Sequence, residues 1–348
     1  MYHNLSLSLA LSLIVLGPVR AEPQQALLDP TDLGVPFQRY TTKDALDRTI
    51  TFYVSVAPAE NTKARLPIVL FIQGSGCRSI FPRKGDGPSA GIPGLLLEEA
   101  NRMVRVLVVE KPGVNWLDQP TQPGSAERAS EEFLREHTLP RWAEANVAAL
   151  RATWTLPDVE PNLTLVMGHS EGGLVAARVA TELPQVTHVA SLACGGPTQL
   201  FSLAELRART RPDDGPGDAA KRRQAVYDEW ARIQADPISI TKFWMGHPYR
   251  RWSTFLPYSL TTELLRTKAR IYLAHGTNDT STPVTAFDIA RAELAVHNRD
   301  VTAERLEGAD HGFRTEAMPE GSPDELQALF GRVLAWFLGI KGVRYIFR

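Results

Sequence analysis

The sequence has no excess of charge of either sign. It contains 38 Lys and Arg against 39 Asp and Glu, which gives a formal net charge of −1 over 348 residues. A chain without a strongly basic field has little to attract nucleic acid, and no acidic tail suggests a charged chaperone or a metal buffer. The composition therefore predicts a globular protein without a nucleic-acid partner.

Long apolar runs are also absent, apart from one at the N-terminus. Residues 5–16 have about the length of the hydrophobic region of a signal peptide and are too short to span a bilayer. The Val19-Arg20-Ala21 tripeptide ends in an acceptable cleavage site, so that Glu22 would begin the mature chain. A buried first helix is the alternative. Because a polar, Pro-containing segment follows at once, we expect residues 1–21 to be a signal peptide and the protein to be periplasmic or secreted.

Cysteine is scarce, with only Cys77 and Cys194 in the chain. Two cysteines in an exported protein allow one disulfide without requiring it, and two unpaired thiols are equally compatible with the sequence. Neither cysteine belongs to a metal-binding pattern, and the histidines lie at no metal-ligand spacing. We expect neither a metal nor a cofactor.

Strand and helix patterns alternate through most of the chain. Period-two alternation predicts two antiparallel strands near the start, and apolar runs predict buried strands further on. Predicted strands cover residues 37–42, 48–56, 66–72, 104–109, 163–167, 186–193, 270–274 and 301–306; predicted helices cover 126–154, 174–183, 284–296 and 323–338, and a long loop follows residue 77. This alternation is typical of an α/β fold with a mostly parallel sheet and helices on both of its faces.

One pentapeptide joins a predicted strand to a predicted helix. Gly168-His169-Ser170-Glu171-Gly172 has the form G-x-S-x-G, and Gly173 extends it. In this context the serine lies on a sharp, strained turn at a helix N-terminus, and the glycines remove side chains that would collide there. Glycine and serine could also simply end the strand. The strand before and the helix after favour Ser170 as a nucleophile.

A serine nucleophile needs a base, and the base needs an acid to orient it. Asp279 and His311 lie in the loops that follow the last two predicted strands, 270–274 and 301–306. Because loops at the carboxyl ends of parallel strands share one edge of the sheet, we expect both to meet Ser170 there. The sequence therefore predicts a Ser-His-Asp triad of Ser170, His311 and Asp279.

Three other side chains compete for these roles. His169 lies inside the elbow and is expected to pack, and His275 comes too early in its loop and is expected to cap or pack. Asp310 is adjacent to His311 and cannot easily turn to orient the same ring. We therefore expect these three to be supporting residues.

Attack on a carbonyl also requires donors for the forming oxyanion. One is expected to be the backbone N–H of Glu171, directly after the nucleophile. The second is expected from the Gly-rich segment 73–77, where Ser75 is the preferred donor and Gly76 the alternative. The glycines there could instead serve only a tight turn. The position after the third strand favours the oxyanion role.

Taken together, these motifs resemble the α/β-hydrolase superfamily over residues 35–340. Gly-Ser-Gly at 74–76 and Gly-His-Ser-Glu-Gly-Gly at 168–173 are similar to bacterial exported carboxylesterases related to dienelactone hydrolase and to the prolyl-oligopeptidase catalytic domain. Gln-Gly-Ser-Gly replaces the more familiar His-Gly-Gly, and Glu-Lys-Pro-Gly at 110–113 replaces Asp-x-Arg-Gly. The resemblance implies one α/β-hydrolase domain over 22–348, with an eight-stranded sheet and a helical cap over about 199–265, after strand six.

The expected activity is that of an exported serine carboxylesterase acting on a small-molecule ester. A serine peptidase or amidase would use the same groups, and a non-catalytic binding protein on this scaffold would lack a triad member or an elbow glycine. A peptide amine would need a recognition group in the cap. The available residues show no pattern; they are Glu205, Glu229, Arg250 and Arg251. The sequence does not predict an oligomeric state.

Overall fold

A computed structural model describes residues 33–57, 65–120, 122, 124–209, 211–315 and 325–340. The predicted signal peptide at 1–21 lies outside them. The main sheet has eight strands. They are β1 Phe37–Lys43, β2 Thr49–Ser55, β3 Leu66–Ile72, β4 Arg105–Val109, β5 Val159–His169, β6 His188–Leu192, β7 Arg270–Gly276 and β8 Val301–Leu306.

The spatial order of the strands is β1-β2-β4-β3-β5-β6-β7-β8. β2 pairs antiparallel with β1 and with β4, and all other neighbours are parallel. The central strands are apolar along their length because helices cover both of their faces. The predicted fold class, an α/β-hydrolase fold with a mostly parallel eight-stranded sheet, is confirmed.

Ten helices occur in the part of the chain that the structure describes. They are α1 Gly91–Ala100, α2 Glu131–Glu136, α3 Leu139–Thr153, α4 Glu171–Glu182, α5 Gln199–Arg207, α6 Asp218–Ala235, α7 Tyr249–Phe255, α8 Leu260–Arg266, α9 Val284–Val296 and α10 Glu325–Leu338. The sheet has an apolar core on each face. Helices α3, α4, α8 and α9 contribute to one core, and α1 and α10 contribute to the other. No helix among the described residues is long and apolar enough to cross a membrane.

Two predicted segments differ from the structure. Helix α1 lies in the segment that the sequence predicts to be a loop. Gly91, Pro93 and Gly94 have low helix propensity, and burial of Leu96 and Ala100 stabilises the helix in spite of them. The segment 126–154, which is predicted to be helical, contains two helices, α2 and α3; Pro140 is the second residue of α3, in the first turn, where proline is tolerated.

Helices α5 to α8 lie between β6 and β7, where the cap was expected. The first three enclose a small core of their own, formed mainly by Leu203, Val226, Ile233 and Trp252. Leu260 of α8 belongs instead to the main core. Helix α8 packs against α4 and α9 and so joins the preceding helices to the main core.

Candidate active site

Ser170 lies on the turn between β5 and α4 with φ 57° and ψ −124°, a strained conformation for a residue with a side chain. Its backbone N–H donates to the carbonyl of Leu192 at 2.8 Å, which fixes the turn against the neighbouring strand. A Cβ atom at Gly168 would overlap the carbonyl of Gly172, and one at Gly172 would overlap that of Ile72. The glycines of the motif are therefore required by close backbone packing.

Asp279 and His311 meet although they are 32 residues apart. His311 Nδ1 lies 2.8 Å from Asp279 Oδ2, and the other oxygen of Asp279 accepts the backbone N–H groups of Ser281 at 2.7 Å and Thr282 at 2.8 Å. Burial raises the pKa of Asp279, but the hydrogen bond and electrostatic attraction of the His311 ring, together with the backbone N–H of Thr282, outweigh burial, and the pKa lies below its usual value. An ionised Asp279 makes Nδ1 the donor, so Nε2 of His311 is left to accept a proton.

Ser170 and His311 both lie on the wall of one cavity of about 650 Å³. The cavity lies between the carboxyl edge of the sheet and the cap, from which Met245, Trp252 and Tyr258 contribute to its lining. Thus the structure brings all three predicted triad residues to the same edge of the sheet.

The three competing side chains support this arrangement. His169 Nε2 donates to the backbone carbonyl of His311 at 2.8 Å, and because burial lowers its pKa to about 4, the ring is neutral. His275 is buried and its Nε2 donates to the carbonyl of Thr282 at 3.1 Å. Asp310 is exposed and accepts backbone N–H groups within its own turn. Each of them shapes a loop that carries Asp279 or His311.

The two segments that carry the expected oxyanion donors lie beside Ser170. A Cβ atom at Gly74 would lie 3.3 Å from the Cβ of Ser170, so a side chain there would press on the nucleophile. Within the described ranges, the backbone N–H groups of Ser75 and Glu171 donate no hydrogen bond. Ser75 and Glu171 both line the cavity. Both N–H groups are therefore available to a bound group.

Sequence reasoning missed the side chain of Glu171, which is the centre of a buried cluster of charged groups. Its carboxylate accepts His137 Nε2 at 2.9 Å and Arg251 Nη2 at 2.5 Å, and Lys111 Nζ lies 3.5 Å away. All four side chains are at most 2 % exposed. Burial alone would raise the pKa of Glu171, but these three neighbours hold it well below its usual value. The signal in the sequence is a Glu at the start of a helix whose next six residues, 172–177, are all apolar.

Lys111 joins this cluster to the oxyanion segment. Its ammonium donates to the carbonyls of Gly74 at 2.5 Å and Gly76 at 2.9 Å, on either side of Ser75. The same group lies beside the carboxylate of Glu171. One buried side chain thus contacts the segments that carry both expected oxyanion donors.

A second buried acid holds the next part of that segment. Glu110 accepts the hydroxyl of Ser79 at 2.5 Å and the backbone N–H of Ile80 at 3.2 Å. Burial raises the pKa of Glu110 to about 8. Glu110 and Lys111 of the Glu-Lys-Pro-Gly turn therefore both fix the loop after β3.

The cysteines are unpaired. Cys194 is buried on the cavity wall, and the thiol of Cys77 donates to the carbonyl of Ser125 at 3.4 Å. Of the two alternatives that the sequence left open, the structure has free thiols. No group of three or more His, Cys, Asp or Glu side chains that could hold a metal ion occurs among the described residues.

Solved structures with this fold include several peptidases. A puromycin-hydrolyzing peptidase of Mycobacterium tuberculosis superposes with a TM-score of 0.56 at 17% identity, over 87% of this chain and 39% of that one. The acylaminoacyl peptidase of Pyrococcus horikoshii gives 0.56 at 13%, over 87% and 42%. Dipeptidyl peptidase 4 of Porphyromonas gingivalis gives 0.55 at 14%, over 87% and 35%. The chain spans less than half the length of these proteins, and at these identities the likeness shows the fold.

A comparison with curated proteins finds no match. The sequence profile described as Alpha/beta hydrolase family matches residues 69–326, which is well over half of the chain. The matched region contains the elbow, the expected acid and base, and the cap. The chain belongs to the alpha/beta hydrolase family.

Proposed function

We propose that this protein is a serine hydrolase that cleaves small-molecule carboxylic esters through an acyl-enzyme on Ser170. The observation that carries the proposal is the 2.8 Å bond from His311 Nδ1 to the buried Asp279, behind a ring that lines the same cavity as Ser170. A neutral imidazole held in this tautomer is the base that a serine hydroxyl requires.

The reaction follows from these roles. His311 Nε2 takes the proton of Ser170 as Oγ attacks the ester carbonyl, and Asp279 stabilises the imidazolium that forms. Collapse of the tetrahedral intermediate breaks the ester bond, and His311 gives the proton to the departing alcohol. Water then attacks the acyl-enzyme with His311 again as the base, which releases the acid and restores Ser170.

The oxyanion would lie between the backbone N–H groups of Ser75 and Glu171, with Gly76 as the alternative to Ser75. Each donor of this kind is worth about 10²- to 10³-fold in kcat where one has been removed from an enzyme. The free N–H groups and the close approach of Gly74 to Ser170 support this assignment.

A serine peptidase or amidase is the second candidate. Its specific support is that the structural neighbours are peptidases by name. The same nucleophile, base and oxyanion donors would attack an amide. The difference lies in the groups that recognise the rest of the substrate.

A fluorophosphonate probe tests the nucleophile directly. The wild type is expected to be labelled and to hydrolyse p-nitrophenyl acetate, and the Ser170→Ala variant is expected to do neither. Aminoacyl anilides, assayed in parallel, separate the two candidates. Faster turnover of the anilides would favour the peptidase, and full ester turnover by Ser170→Ala would refute both.

We also propose that the protein is exported, on the sequence of residues 1–21. Expression with this segment in a bacterial host should give a periplasmic or secreted product whose N-terminal sequence begins at Glu22. A cytoplasmic product that retains Met1 would contradict export.

A further inference from the structure

The charged side chains on the cavity wall are mainly cationic. Arg78 and Arg251 line it, and the only carboxylate among its lining residues in the described part of the chain is Glu171. The histidines on the wall include His169 and His247, and burial lowers the pKa of each below its usual value, so both are neutral at pH 7. Of the charged side chains that line the described part of the cavity, a ligand therefore meets guanidinium groups and one carboxylate, that of Glu171.

Glu171 cannot serve as a receptor for a substrate ammonium group. Its carboxylate is buried and is shared by His137, Lys111 and Arg251. Breaking such a set to admit a new cation would leave buried charges without a partner, which is strongly unfavourable.

Arg251 retains one unused donor group. Its Nε and Nη2 atoms contact Glu171 at 3.1 and 2.5 Å, whereas its Nη1 has no hydrogen-bond acceptor among the described residues. The guanidinium is held in place over the rings of Trp252 and Phe255, at 4.1 and 4.5 Å from their centroids. A buried charged donor without an acceptor is costly, so an anion that reaches it gains more than it would at an exposed site.

The acids of the cap that could recognise a peptide amine are engaged elsewhere. Glu205 pairs with Arg223 at 3.0 Å, and Glu229 accepts the hydroxyl of Tyr249 and pairs with Arg232. Neither acid lines the cavity.

We propose that the cavity selects esters that carry, besides the ester group, an ionised carboxylate. Arg251 Nη1 binds this carboxylate, and Arg78 attracts it at the mouth of the cavity. This inference names a substrate class for the proposed function and rests on it. It also separates the two candidates, because a substrate with a free α-ammonium group meets no unengaged acid among the described residues that line the cavity.

Three p-nitrophenyl esters of similar length test the charge preference in the wild type. They are the esters of adipic acid, heptanoic acid and 6-aminohexanoic acid, whose acyl chains end in an anion, a methyl group and a cation. The expected kcat/KM falls in that order, with the anionic ester ~10- to 100-fold above the neutral one, as for a charge-assisted hydrogen bond. An equal or faster rate for the cationic ester would mean that there is no carboxylate preference on the acyl side, and the inference is then overturned unless the leaving-group pair below shows one.

A second pair of esters places the charge on the leaving group: 4-acetoxybenzoate and its neutral analogue 4-acetoxybenzamide. A preference for the anion in either pair supports the proposal and shows which side of the scissile bond faces Arg251. No preference in both pairs overturns it.

Arg251→Lys keeps a positive charge beside Glu171 and removes the Nη1 donor, so the ratio of anionic to neutral kcat/KM should fall towards one. Arg250→Lys is the matched control, because Arg250 donates to the carbonyl of Arg135 and lies outside the cavity lining; its ratio should match the wild type. If Arg251→Lys does not fold, Arg78→Gln should lower the ratio and its salt dependence. An unchanged ratio in the folded Arg251→Lys variant would refute the role of Nη1.

Calorimetry on Ser170→Ala separates this inference from the proposed function. Adipate should bind at least ~10-fold more tightly than dimethyl adipate. Ester turnover that depends on Ser170 without a charge preference would refute the inference alone. Adipate binding to a protein that hydrolyses no ester would refute the proposed function alone.

Discussion

Removal of Lys111 tests whether a buried charge holds the oxyanion segment. In Lys111→Met the carbonyls of Gly74 and Gly76 lose their donor, and Glu171 loses one of its three cationic or donor neighbours. A buried polar group without its partner costs about 1–3 kcal/mol. Leaving two carbonyls without a donor is therefore expected to lower the free energy of unfolding by ~2–6 kcal/mol. The lower end is expected, because methionine also removes the cost of burying an ammonium group.

The same change should reduce kcat more than it raises KM. If the 74–76 segment turns once its carbonyls are released, the N–H of Ser75 no longer points at the oxyanion, which forms only during the reaction. Loss of one such donor lowers kcat by about 10²-fold or more. Lys84→Met is the matched control, since Lys84 is exposed on a two-residue hairpin strand and lies outside the cavity lining.

The assay combines three measurements on each variant. Urea unfolding gives stability, a fluorophosphonate probe counts active sites, and p-nitrophenyl acetate gives kcat and KM. A folded Lys111→Met protein with kcat within about threefold of the wild type would refute the reasoning, since the loss of a single oxyanion donor costs far more.

Three further changes have defined outcomes. Asp279→Asn should lower kcat by about 10⁴-fold with little change in KM, because an amide no longer fixes the imidazole tautomer; a steady-state loss below tenfold would contradict this. Glu110 has a pKa of about 8 in the folded protein against 4.5 in a free side chain, so the folded state binds the extra proton. Wild-type stability should therefore fall as pH rises from about 4.5 to about 8, by at most ~5 kcal/mol from this group, and Glu110→Gln should lack that part of the slope in urea unfolding at pH 5 and pH 8. Equal slopes would disprove it. Gly172→Ala should yield no folded protein because its Cβ overlaps the carbonyl of Ile72, whereas Gly87→Ala, with open space around it, should melt like the wild type.

The placement of the site could be predicted because strand order and chemistry both appear locally in the sequence. The elbow is a contiguous motif, and Asp279 and His311 lie three and five residues after the ends of β7 and β8. In a parallel sheet those strand ends share an edge, so three distant side chains could be assigned to one site without a structure. The bounds of α9 and β8 match the predicted ranges, because clear polar or turn residues flank both.

Helix α1 and the division of 126–154 could not be predicted from local pattern. Three of the first four residues of α1 are Gly or Pro, which signals a loop, and only contact with the sheet and with α10 makes the helix favourable. The break before α3 depends on Thr138 and Pro140, within a segment whose hydrophobic spacing continues through it.

By itself, the sequence determined the fold class, the turn at Ser170 and the loops that carry Asp279 and His311, because each of these features is encoded in a short stretch of chain. Only the tertiary structure decided what surrounds them: the burial of Glu171 among His137, Lys111 and Arg251, the contact of Lys111 with the 74–76 carbonyls, and the buried, unpaired Nη1 of Arg251, a residue that lines the cavity. These groups come from the turn after β4, from α4 and α7, and from the segment before α3. Their charges act through short distances across the fold, and no spacing within one segment encodes those distances.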